Sequence, residues 1–175
     1  QSTATSDITW PNIQYGIVAD TVQNRFAQTE SALYFATEDG IYEHSFTTKA
    51  TSFFLLADAP SYLAIVDGKL AFREVSMRDS EFNPTEFALS LVDLQSGEKS
   101  SLDQGNINWL QSYDNRLYYV LDNQYLYSLD IKTQEKNLLL SDFIASCSLL
   151  DGKIYLSLND NLCQYSITGN TLSTL

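Results

Sequence analysis

Residues 151–170 read DGKIYLSLNDNLCQYSITGN: a turn, an apolar run, a second turn, another run and a third turn. Asp, Asn and Gly mark the turns, and the short runs rich in Tyr, Leu and Ile between them are strand signals. Whether the stretch is a lone hairpin or one copy of a repeat decides the architecture. Aligning on the turn and the run after it gives Asp67-Gly68-Lys69-Leu70, Asp114-Asn115-Arg116-Leu117 and Asp151-Gly152-Lys153-Ile154, with a looser Glu30-Ser31-Ala32-Leu33 upstream. The aligned apolar residues Leu33, Leu70, Leu117 and Ile154 are 37, 47 and 37 residues apart, which is one period with a single insertion of ten. The insertion falls at SMRDSEFNPTE (76–86), which separates two runs that elsewhere are joined by a few residues. A second landmark agrees: residues 89–94, 126–131 and 162–167 share one pattern, and the turn signals QSG, KTQ and TGN follow them.

Each copy divides into four short strands, with no convincing helix. Strands such as Leu117-Tyr118-Tyr119-Val120-Leu121 are apolar at every position, so both of their faces are expected to be covered. Four-stranded antiparallel units that bury both faces against their neighbours are the blades of a β-propeller. The expected fold is all-β, a β-propeller or propeller-like array of about four blades at about 25–57, 58–103, 104–141 and 142–175, forming one domain over 25–175. Residues 1–24 form an N-terminal segment, in which ITWPNIQYGIV (8–18) reads either as an added strand against the last blade or as a linker.

Composition narrows the partners. The chain has 175 residues, 44% of them hydrophobic and only 3 prolines, enough for a buried core. A net charge of -12 with only 10 Lys and Arg argues against nucleic acid and anionic membranes, whose recognition rests on clustered cations. No run approaches the roughly 18 apolar residues of a membrane span, and QSTATSD at the start lacks the basic and apolar regions of a signal peptide. A secreted chain whose signal has been removed would read the same way.

The pattern DGKLYY…LYxxDxxTG, with ADTVQNRFAQTESALYFATEDGIY (19–42) ahead of the first full unit, resembles bacterial propeller-like domains of unknown function, related in turn to the YWTD repeats of low-density-lipoprotein receptors. The resemblance spans residues 19 to 175 and departs from the receptor pattern where the Trp of YWTD would stand, since this chain has LYFA, LAFR, LYYV and IYLS. What it implies is an extracellular or envelope-associated bacterial binding domain with no catalytic residues to carry over. Two outcomes follow for four blades: they close on themselves, as in hemopexin-like domains, or they form an open arc that self-associates.

The fold also sorts charge. Turns between second and third strands share one face of a propeller with the connections between blades, which places Glu38, Asp39, Asp58, Asp79, Glu81, Glu86, Asp103, Asp122, Asp142 and Asp160 there, with Arg78 as its cation. The other face mixes Lys and Arg with Asp and Glu. The acidic face is the expected docking surface for a protein or glycan partner, and the insertion on it is the expected contact loop. The binding residues expected are Asp39, Asp58, Met77, Arg78, Phe82, Asp103, Asp122, Asp142 and Asp160. Against this stands the preference of tight turns for Asp and Asn, whatever the function. No DxDxDG-type loop points to calcium, and no metal or other cofactor is expected.

Enzymatic readings are weaker. His44 is the only histidine, so a metal site of several His ligands is excluded, and it lies on an expected strand. Carboxylates of the acidic face, Asp122 and Asp160 in equivalent turns for instance, offer the alternative of a carbohydrate-active or calcium-dependent enzyme domain. The expectation is a non-catalytic module. Cys147 and Cys163 fall on a first and a third strand of one blade, roughly 9–10 Å apart across the strand between them, too far for a disulfide. Most of the eleven tyrosines, Tyr34, Tyr118, Tyr119, Tyr127 and Tyr155 among them, fall in strands that a propeller buries.

Overall fold

The computed structural model describes residues 24–175 and holds sixteen strands and no helix among them. The segment 8–18 lies outside the described residues. Blade I comprises β1 (Phe26–Gln28), β2 (Ala32–Ala36), β3 (Gly40–Ser45) and β4 (Thr51–Leu56). Blade II comprises β5 (Ser61–Val66), β6 (Lys69–Arg78), β7 (Pro84–Asp93) and β8 (Lys99–Gln104). Blade III comprises β9 (Ile107–Tyr113), β10 (Arg116–Leu121), β11 (Tyr125–Asp130) and β12 (Lys136–Ser141), and blade IV β13 (Ile144–Leu150), β14 (Lys153–Leu158), β15 (Asn161–Ser166) and β16 (Thr171–Thr174). Each is a four-stranded antiparallel sheet in sequence order, and the first strands lie side by side, β5 next to both β1 and β9, and β9 next to β13. This is the propeller-like array that the repeat predicts.

The turns that set the period are the reason the strands pair in register. Asp67 and Gly68, Asp114 and Asn115, and Asp151 and Gly152 all have positive φ, between 46° and 72°, the two-residue hairpin geometry whose twist matches that of the strands. The pairs Asp122-Asn123 and Asn159-Asp160 repeat it at the opposite end of blades III and IV. Alternation then gives every blade an upstream face toward the preceding blade and a downstream face toward the next. Tyr34 and Ile41 of blade I meet Leu70, Phe72 and Val92 of blade II. Leu89 and Leu91 of blade II meet Leu117, Tyr119 and Leu129 of blade III. Val120 and Leu126 of blade III meet Ile154, Leu156 and Tyr165 of blade IV. Among the described residues these three clusters hold most of the core, and none joins blade IV to blade I.

The two cysteines sit on blade IV as expected, both free and buried, with Leu156 between them in register. Burial pushes the Cys147 thiol up in pKa. No helix among the described residues is long and apolar enough to cross a membrane.

Candidate functional site

The acidic face is built by hydrogen bonds that tie blade connections to the neighbouring turns. Ala59 N–H donates to the Glu38 carbonyl, Asp122 N–H to that of Asn106, and Ile144 N–H to that of Asn123. The carboxylates of this face are largely engaged in that construction. Asp39 accepts from the Thr37 hydroxyl at 2.6 Å, Asp122 from Asn106 N–H at 3.0 Å, and Asp142 from the Asn159 amide at 3.0 Å through both oxygens. Asp160, on the β14–β15 turn, makes no such bond among the described residues and is exposed, as are Glu81 and Glu86.

Asp103 is placed differently from the expectation. Instead of standing free on the acidic face, its carboxylate turns into the seam between blades II and III, where it accepts from the Tyr119 hydroxyl at 2.8 Å and from Lys136 Nζ at 2.5 Å. Lys136 also lies 4.0 Å above the Tyr127 ring, so the cation, the carboxylate and two aromatic rings form one clamp. The Tyr119 hydroxyl is held far above the usual phenol range by burial first and by this carboxylate second.

The insertion is not a loop. β6 and β7 run on past the ends of their counterparts in the other blades, Met77 pairing with Glu86 and Arg78 with Pro84, and only residues 79–83 turn. The proline stands at the first position of β7, where its missing N–H breaks no ladder bond. The turn is fixed from inside by Asp79, which accepts from the N–H groups of Glu81 and Asn83, and these bonds, that of Asn83 foremost, hold its carboxyl below the usual range. It is fixed from outside by Arg78. Its Nε and Nη2 each donate to one oxygen of Asp58 at 2.7 Å, and Nη1 donates to the Phe82 carbonyl at 2.6 Å. The hydrogen bonds from Arg78 hold the Asp58 carboxyl below its usual range. Arg78 is therefore a brace between the ribbon and the connection from blade I to blade II, not a free cation. Its work leaves Phe82 80% exposed and Met77 53% exposed at the ribbon end.

At the base of the ribbon stands a residue that sequence reasoning did not single out. Arg73 is 8% exposed, with its guanidinium 4.5 Å from the Phe87 ring centre and 5.2 Å from that of Tyr62. It donates to Ser61 Oγ at 3.1 Å, to Asn106 Oδ1 at 3.3 Å and to the Ile107 carbonyl at 3.2 Å, and among the described residues no carboxylate pairs with it. Burial lowers its pKa. The signal for it was a charge inside LAFREV, a run whose two faces are both covered.

The structure thus brings Asp58, Met77, Arg78 and Phe82 together around one ribbon and spreads Asp39, Asp122, Asp142 and Asp160 along the rest of the rim, while Asp103 is withdrawn. His44 lies on the upstream side of blade I with Nδ1 2.9 Å from Thr51 Oγ1. Among the described residues no three His, Cys, Asp or Glu side chains group as metal ligands. The opposite face holds a cleft of about 250 Å³ between blades II and III, where Lys69 and Asp93 are paired at 2.6 Å.

No family model matches this chain, and no curated protein does. Solved structures do match, at the level of the fold. A complex from S. cerevisiae in which dbp5 is bound to nup159 aligns with 87% of this chain and 42% of its own, at 12% identity and a TM-score of 0.67. TolB from Acinetobacter baumannii aligns with 86% of this chain and 42% of its own, at 14% identity and 0.65. The extracellular domain of BT4673 from B. thetaiotaomicron aligns with 94% of this chain and 23% of its own, at 15% identity and 0.63. These are β-propeller folds, and the chain spans less than half the length of each.

Proposed function

We propose that this chain is a non-catalytic interaction module that binds a protein or glycan partner through its acidic turn face, with the β6–β7 ribbon as the principal contact. The observation that carries the reading is the ribbon itself: two large apolar side chains, Phe82 on its turn and Met77 on β6, are presented to solvent at an end that Arg78 and Asp79 hold rigid. A braced apolar tip loses little conformational freedom on binding, which is how a small contact gains affinity. Glu81 and Glu86 beside it add negative charge, so a partner segment that combines apolar and cationic side chains fits best. Propellers serve as protein-binding scaffolds among the matched folds, nup159 with dbp5 being one case. An extracellular or cell-envelope setting, like that of the BT4673 extracellular domain, suits such a module, as does the resemblance of its repeats to bacterial propeller-like domains.

The test is affinity capture from the native source, with and without chelator, using the chain and a variant in which residues 77–85 are replaced by Asn-Gly. The partner is expected to be lost with the ribbon and with Phe82→Asp, and to be indifferent to chelator. Retention by the shortened variant would overturn the ribbon as contact, and chelator-dependent capture would favour the calcium-dependent alternative.

A further inference from the structure

The three seams between blades share one register, and that register continues past both ends of the arc. On the upstream side, Phe72 pairs with Ser90, Tyr119 with Tyr127 and Leu156 with Cys163, and in blade I the same place is taken by Phe35 opposite Tyr42. Phe72 and Tyr119 are 0% exposed and Leu156 1%, each pressed on the preceding blade. Phe35 has no preceding blade among the described residues and is only half-buried. Around it the upstream face of blade I is an aromatic row. Phe26 lies 6.5 Å from Phe35, Phe35 5.6 Å from Tyr42, and Tyr42 5.4 Å from Phe53, with Phe26 58% and Phe53 52% exposed. None of the four carries charge, on a chain whose net charge is -12.

The downstream side ends in the same way. Ile41, Leu89 and Leu126 occupy one register position, on the third strand opposite Ala36, Arg73 and Val120, and each is 0% exposed against the next blade. Leu162, opposite Ser157, is the fourth member of that set and is 56% exposed. The arc therefore displays, one at each end, the two halves of a contact that it makes three times internally.

We infer that the upstream face of blade I, centred on Phe35, receives the downstream face of blade IV, centred on Leu162, from a second copy of this chain. The occupant follows from continuity with the internal seams, because a face built on this register meets its complement wherever the complement is present within the arc. Two copies placed head to tail about a two-fold axis bring both exposed end faces together at once, so that each blade of the described residues has a neighbour on either side. This inference does not depend on the acidic face or its ribbon, which lie at the turns and not on the blade faces.

Sedimentation equilibrium on the 175-residue chain tests it. The expected mass is twice that of one chain. Phe35→Asp alone and Leu162→Asp alone are each expected to halve it, with far-UV circular dichroism unchanged for Leu162→Asp, whose site is exposed. A mixture of the two variants is expected to regain a dimer, since one supplies an intact upstream face and the other an intact downstream face. A chain of single mass overturns the inference. A Leu162→Asp chain that stays dimeric overturns it too, pointing to pairing between two aromatic faces, and so does a mixture that fails to recover.

Discussion

The seam between blades II and III and the seam between blades III and IV are laid on the same strand register with different chemistry. The III–IV seam is apolar at its centre: Val120 and Leu126 meet Ile154, Leu156 and Tyr165, and the bonds from Leu149 N–H to the Gln111 amide oxygen and from Ile144 N–H to the Asn123 carbonyl, both at 2.8 Å, cross it without a charged side chain. The II–III seam has an apolar floor of Leu89, Leu91 and Leu117 and is fastened at its edges by charge. Arg73 reaches from blade II to Asn106 and Ile107, and Asp103 of blade II takes both Tyr119 and Lys136 of blade III. An apolar seam asks only for volume and so tolerates small rotations of one blade on the next. A hydrogen-bonded seam fixes the angle, but every buried polar group in it depends on its partners. The ribbon grows from blade II beside the fastened seam, which is where a contact element gains most from a fixed support.

The most forceful way to break this comparison is at Arg73. Arg73→Ala removes a buried guanidinium, empties the space between Phe87 and Tyr62 and leaves the Ile107 carbonyl without that donor, for an expected loss of about 3 kcal/mol in urea unfolding. Arg73→Lys is expected to recover less than half of it, because an ammonium cannot stack between two rings while forking to three acceptors. A loss for the alanine variant of under about 1 kcal/mol would mean that the fastened seam is no more specified than the apolar one.

A gentler test separates the hydroxyl of Tyr119 from its ring. Tyr119→Phe keeps the stacking on Tyr127 and removes one hydrogen bond to Asp103, for an expected cost of about 1 kcal/mol at neutral pH. The pH profile carries more information. The folded chain holds this hydroxyl neutral well above the usual phenol range, whereas the unfolded chain ionises it near pH 10. Its contribution is therefore complete below about pH 10 and falls as pH rises beyond it. Tyr34 in the I–II seam follows the same rule over a narrower window, burial foremost having pushed it up to about 12. The Phe variant should lose stability less steeply above pH 10 than the parent chain. Equal slopes would show that Tyr119 does not ionise on unfolding in that range.

The fold was legible because its punctuation is local. Asp-Gly and Asp-Asn pairs announce their own hairpins, and an apolar run without alternation announces that both its faces are covered. The candidate site was legible in place but not in chemistry. Asp58 and Arg78 are 20 residues apart and Asp103 and Lys136 are 33 apart, so the pairings that neutralise two of the expected binding carboxylates are tertiary facts. Residues 76–86 read as a loop because charges and Pro84 interrupt the apolar pattern, yet Pro84 sits where a strand accepts proline and the ladder continues on both sides. Arg73 was marked in the sequence by a charge in a doubly covered strand, a signal that calls for an explanation of where its donors go.

The finest test lies in the apolar seam, at Trp109. Its indole Nε1 is buried and has no hydrogen-bond partner among the described residues, the one such side-chain atom there. A donor taken from water without an acceptor costs roughly 1–3 kcal/mol, while the ring buries apolar surface between blades III and IV. Trp109→Phe gives up part of that surface and removes the unsatisfied donor, so the two changes offset and the net effect is expected within about 1 kcal/mol of zero. The same exchange at a tryptophan whose N–H is bonded would cost the contact as well as the area. A loss at Trp109 of more than about 2 kcal/mol would mean that its indole does find an acceptor in solution. The III–IV seam would then be fastened like its neighbour, and the division between an adjustable and a fixed seam would have to be given up.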